Sequence, residues 1–171
     1  PKNFRHGSQN NFDRNASRAG ANWEFLGELR EKWKGNLIVK GVMDPEDAKR
    51  IQNAGVDAIW VSNHGGRQLD GSPPALLALP KIRESVGPNL PIIFDSGVRS
   101  GEDIVKALAL GANFVMLGRP IMMALAASSE KGLKDYISML EEEIKVVMAQ
   151  LGLKDLSKIS GDVLYGDIPT K

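Results

Sequence analysis

Four short apolar runs, Leu37–Val39, Ala58–Val61, Ile92–Phe94 and Phe114–Leu117, constrain this chain more than any other feature of its sequence. None alternates apolar with polar residues, so each is expected as a strand covered on both faces, the habit of parallel sheets. Helical patterns separate them. Asp44-Pro45-Glu46 supplies an N-cap, a first-turn proline and an acidic first turn for a helix to Asn53, stopped at Gly55. A second helix is expected over Pro74–Val86, closed by Gly87. A third, over Gly101–Leu110, is closed by Gly111 and gathers Ile104, Ala107 and Leu108 on one stripe. A longer amphipathic helix is expected over Leu133–Leu151, ending at Gly152. This β-α repeat points to an α/β fold with a parallel sheet, either doubly wound or a (β/α)8 barrel. A barrel takes about 250 residues, so a chain of 171 supplies half of one.

Ahead of the repeat, residues 1–21 are polar, rich in Asn and Arg and without apolar period, and are expected to form an exposed arm. Residues 22–171 are read as one domain, opening on a helix from Trp23 to Lys34 with Asn22 as its N-cap. The 22 basic and 21 acidic residues leave a net charge of +1, which offers no electrostatic footprint for nucleic acid. The absence of cysteine removes disulfides, thiolate metal sites and a cysteine nucleophile. The longest apolar candidate for a membrane segment, Pro120–Ala127, stops at Ser128-Ser129, well short of the roughly 18 residues a span needs. A soluble, intracellular domain is the expectation. His6 and His64 lie far apart without supporting ligands, so no metal site is expected. Met122, Met123, Met139 and Met148 read as core filler, and Glu141–Glu143 as a solvated helix face.

In parallel α/β folds the reactive groups gather at the carboxyl ends of the strands. Here the first run ends in Lys40-Gly41 and the second in Ser62-Asn63-His64-Gly65-Gly66-Arg67. The third ends in Asp95-Ser96-Gly97-Val98-Arg99 and the fourth in Gly118-Arg119. A lysine, an imidazole, a carboxylate and three guanidinium groups are thereby predicted on one rim, a coincidence that packing does not explain. Gly97 and Gly118 allow close backbone approach to an anion, and Arg99 and Arg119 offer bidentate pairing to phosphate. Barrels often bind phosphate with their last two loops. Lys40 is suited to stabilise developing negative charge. His64, followed by two glycines rather than core residues, is suited to act as a general base, with Arg67 beside it to clamp a carboxylate.

These motifs, in this order, resemble the FMN-dependent L-2-hydroxy acid oxidase and dehydrogenase family, whose members include glycolate oxidase, lactate oxidase and monooxygenase, mandelate dehydrogenase and flavocytochrome b2. The likeness runs from about Asn22 to Leu156, and Ser62–Arg67 is its most specific segment. Ile59-Trp60-Val61 and Phe94–Gly97 look closest to the lactate oxidase and monooxygenase branch. The resemblance implies the carboxy-terminal half, strands 5–8, of an FMN-binding (β/α)8 barrel. It implies Lys40 at the flavin N1/C2 carbonyl, Ser62 at the flavin edge and Asp95 at the ribityl chain. Gly97, Arg99, Gly118 and Arg119 would surround the phosphate, while His64 takes the substrate's proton and Arg67 binds its carboxylate. The amino-terminal half of such a barrel is missing from the match, and with it the tyrosines, second arginine and histidine-orienting aspartate of the family. The resemblance therefore also implies partners: that half-barrel, a small 2-hydroxy acid and other copies of the complete protein. An isolated half-barrel without turnover is the alternative, its sheet left with two open edges.

Overall fold

The computed structural model describes residues 20–166. By backbone contacts the chain divides after Gly35. The first unit holds helix α1, Trp23–Lys32, where Asn22 Oδ1 accepts from the Phe25 amide at 2.8 Å. The sequence reading extends this helix two residues further, but it ends where the Arg30 guanidinium takes the carbonyls of Trp33 and Gly35.

The second unit, from Asn36 on, alternates strands and helices: β1 Ile38–Val42, α2 Pro45–Asn53, β2 Ala58–Val61, α3 Ala75–Val86, β3 Ile92–Phe94, α4 Gly101–Ala109, β4 Phe114–Val115 and α5 Arg119–Gln150. All three strand pairs are parallel, and the sheet order is β1-β2-β3-β4. That order decides between the two expected architectures. A doubly wound sheet reverses its strand order at a switch point, whereas neighbours in strict sequence describe an arc of a barrel.

The Asp44 cap lies where the sequence places it. Asp44 Oδ1 accepts from the amides of Glu46 and Asp47 at 2.8 and 3.1 Å. Ser100 and Asp103 form a reciprocal capping box at α4. At the far end of the sheet from the rim, Arg83 donates to the carbonyls of Gly87, Leu90 and Gly111 and to Asn113 Oδ1. One guanidinium thus satisfies three carbonyls from two connections that would otherwise be orphaned.

Successive side chains divide the sheet into two unlike faces. Ile59, Val61, Ile92 and Phe94 are fully buried and form the core with Ala48, Leu79, Ile82 and Ala107. The opposite face carries one row in register, Lys40, Trp60, Ile93 and Phe114. There Trp60 and Ile93 are only half-buried and Phe114 is 60% exposed.

Four expectations are corrected. The first strand runs on to Val42, with a register shift between Lys40 and Val42 where Gly41 takes φ +91°. The fourth is only Phe114–Val115. The last helix begins at Arg119 rather than Leu133 and is kinked at Ser128 and Ser129, the two serines that end the apolar run. The methionines are not core filler: Met122 and Met123 are 68% and 66% exposed, Met139 is exposed and Met148 half-buried. An apolar stripe shows that a helix has a face to cover, not that the described residues supply the cover.

Candidate functional site

The strand ends bring their polar groups together in pairs that cross the sheet. Lys40 Nζ donates to Ser62 Oγ at 3.0 Å, lies 3.6 Å from Asp95 Oδ2 and sits 5.0 Å from the centre of the Trp60 ring. Three strands thus hold one ammonium. An ion pair with side chains 37% and 20% exposed contributes at most about 1 kcal/mol, which is little reason to put lysine in a strand. Its value is a positive charge fixed at a known point on the sheet's open face.

The segment after β2 makes a left-handed turn. His64, Gly65 and Gly66 have φ of +57°, +65° and +76°. Glycine takes this conformation freely, but an L-residue such as His64 gives up roughly 1–2 kcal/mol. Two hydroxyls offset that cost: Ser62 Oγ accepts from the His64 amide at 3.1 Å, and Ser96 Oγ from the Gly65 amide at 3.2 Å. Ser62 is buried, whereas His64 and Arg67 are exposed on the rim.

The loops after β3 and β4 are built differently. Gly97 has φ +93°, and neither Gly97 nor Gly118 has a heavy atom within 4 Å of where a Cβ would stand. Arg99 is exposed and its backbone is gripped from behind: its amide donates to Asp103 Oδ2 at 2.9 Å, and its carbonyl accepts from the Tyr136 hydroxyl at 2.8 Å. Burial, then the negative charges of Glu143 and Asp103, raise the pKa of Tyr136, which keeps it a donor. Glu143 also caps the Gly101 amide at 2.6 Å, and a Cβ at Gly101 would stand 2.6 Å from the Ile144 nitrogen, so only glycine lets α4 and α5 come this close. Arg119 opens α5 and donates to the Gly65 carbonyl at 3.3 Å, joining the last loop to the histidine turn. Gly65, Ser96, Gly97 and Arg119 share the wall of a cavity of about 350 Å³.

Every expected site residue therefore stands on one rim. Lys40, Ser62 and Asp95 touch directly, and Arg119 reaches the His64 turn. His64, Arg67, Arg99, Gly97 and Gly118 sit on the adjoining loops. Two contributors escaped the sequence reading. Ser96 receives no role in the sequence reading, although a serine between Asp95 and Gly97 is a hydroxyl where a turn asks for glycine. Tyr136 lies 37 positions from its partner, and no local signal marks it.

Comparison with known proteins bears on the whole second unit. A family model for FMN-dependent dehydrogenases matches residues 2–166. The chain belongs to the FMN-dependent dehydrogenase family. Among relatives in this family it is 46% identical to an L-lactate dehydrogenase of Caulobacter vibrioides over 147 residues, 86% of this chain and 38% of that protein. It is 47% identical to an L-lactate dehydrogenase of Pectobacterium atrosepticum over 154 residues, 90% of this chain and 39% of that protein. The crystal structure of the monotopic membrane protein (S)-mandelate dehydrogenase superposes with a TM-score of 0.83 at 42% identity, covering 89% of this chain and 41% of that one. The chain thus spans about two fifths of the length of these family members. Among the described residues no helix is long and apolar enough to cross a membrane.

Proposed function

We infer that this chain carries the general base and much of the flavin site of an enzyme that oxidises an L-2-hydroxy acid, of the lactate, glycolate or mandelate type, to the 2-oxo acid with FMN. The observation that carries the reading is the Lys40 ammonium, held by Ser62 and Asp95 beside the His64 turn, in a chain of the FMN-dependent dehydrogenase family.

The residues present suit FMN. The glycine at 97 leaves open space, the rim offers the cations Arg99 and Arg119, and buried Asn63 Oδ1 and Trp60 Nε1 have no hydrogen-bond partner among the described residues. Lys40 would meet the flavin N1/C2 carbonyl, Ser62 its edge and Asp95 the ribityl chain. Gly97, Arg99, Gly118 and Arg119 would hold the phosphate. Oxidation of the substrate's CH–OH to C=O releases two electrons and two protons. FMN, when bound, would accept the electron pair and the other proton. His64 removes one proton as general base, Arg67 orients the substrate carboxylate, and Lys40 stabilises negative charge on its side of the rim. The same reading takes the complete protein to be an intracellular homo-oligomer.

The test is His64→Ala in the complete FMN-loaded protein. Turnover of L-lactate, glycolate and (S)-mandelate falls by about 10²- to 10⁴-fold while flavin absorbance stays; undiminished turnover sinks the assignment. A second reading is favoured by the coverage of 38% to 41%: the 171-residue chain alone binds phosphate or flavin without turning over. Hydroxy acid oxidation by that chain with added FMN refutes it.

A further inference from the structure

We propose that Ser96 is a positioning residue whose hydroxyl tethers the turn carrying the general base to the Lys40–Asp95 charge pair. The inference rests on the reading of His64 as the base. Ser96 has φ +86°, a conformation in which glycine is the unstrained choice. Its side chain therefore has to contribute something a glycine cannot.

The hydroxyl does so on three sides. Ser96 Oγ donates to Asp95 Oδ1 at 2.7 Å and accepts from the Gly65 amide at 3.2 Å. It also lies 3.5 Å from Ser62 Oγ, which itself takes Lys40 Nζ and the His64 amide. The two serines thus anchor successive amides of the left-handed turn, Ser62 holding His64 and Ser96 holding Gly65. Asp95 meanwhile divides its oxygens, Oδ1 to Ser96 and Oδ2 toward Lys40. Removing the Ser96 hydroxyl cuts the link between β3 and the histidine turn. It leaves Lys40, Asp95, His64 and Arg67 chemically intact. The Arg119 contact to the Gly65 carbonyl remains, so the turn loosens rather than unravels.

Two variants separate the hydroxyl from the backbone. Ser96→Gly removes the hydroxyl and suits the φ; Ser96→Ala removes it and keeps the Cβ. In the complete FMN-loaded protein both lower kcat about tenfold, with KM for L-lactate and Kd for FMN within about threefold of the parent. Hydrogen exchange at the Gly65 amide, read on the same protein, speeds up about tenfold, while exchange at the Val61 amide is unchanged. Parental kcat and Gly65 exchange in Ser96→Gly overturn the proposal. So does a loss confined to Ser96→Ala, which assigns the effect to strain. If His64→Ala turns over undiminished, the functional reading fails on its own, and the Gly65 exchange rate still decides whether the tether exists.

Discussion

The two sides of the rim solve different problems. On the side of β1, β2 and β3, side chains brace one another: Lys40 to Ser62 and Asp95, and Ser96 to Asp95 and Gly65. On the side of β4, the Arg99 backbone is braced by Asp103 and by Tyr136 on α5, the Arg119 side chain makes one long bond to the Gly65 carbonyl, and both arginines stay exposed. A site that must stabilise developing charge gains from groups fixed in advance. A site that grips an anion can leave its cations to close on arrival, because their charge-assisted bonds form with the ligand. Under the proposed function, the first side would serve chemistry and the second retention.

Substitutions should then fall into two classes. The largest effect is expected at His64, as stated above. Next, Lys40→Met in the complete protein should lower kcat about 10²-fold, as loss of one preorganised charge does, while FMN remains bound. A loss of flavin with normal turnover on reloading would place Lys40 in the retention class instead. On the other side, Arg119→Ala should weaken FMN about tenfold or more, the scale of one charge-assisted hydrogen bond. Binding of riboflavin, which lacks the phosphate, should not change. Equal losses for both ligands would break the distinction. The smallest effect concerns Tyr136. With its pKa raised in the fold, the unfolded chain loses this proton first as pH climbs past the ordinary value of about 10. The stability it contributes is fully present below that pH and is lost through the raised value. Melting temperatures of the parent and Tyr136→Phe should therefore differ at neutral pH and converge above pH 10.

Much of this was legible in the sequence because parallel strands announce themselves. Apolar runs without alternation gave β2 and β3 to the residue, and Asp44 and Gly87 marked helix ends through local hydrogen bonding. The rim followed from reading what comes next in the chain after each strand. What stayed hidden depends on distant partners. The cover over Met122 and Met123 is a property of neighbours, not of the stripe. The grip of Tyr136 on Arg99 spans two elements. Ser96 was visible as a residue but carried no assignment, because the left-handed φ on which its proposed role rests is revealed only by the folded turn.

The short last strand has a consequence for handling the protein. A sheet edge invites other chains in proportion to the length of straight, unpaired backbone it offers. β4 offers two residues before α5 begins four positions later, and β1 is interrupted at Gly41 next to a charged side chain. Neither border provides the long flat template on which fibrils grow. Clumping of the isolated chain, where it occurs, should thus be driven by greasy contacts through Phe114 and the methionines, and mild detergent should disperse it.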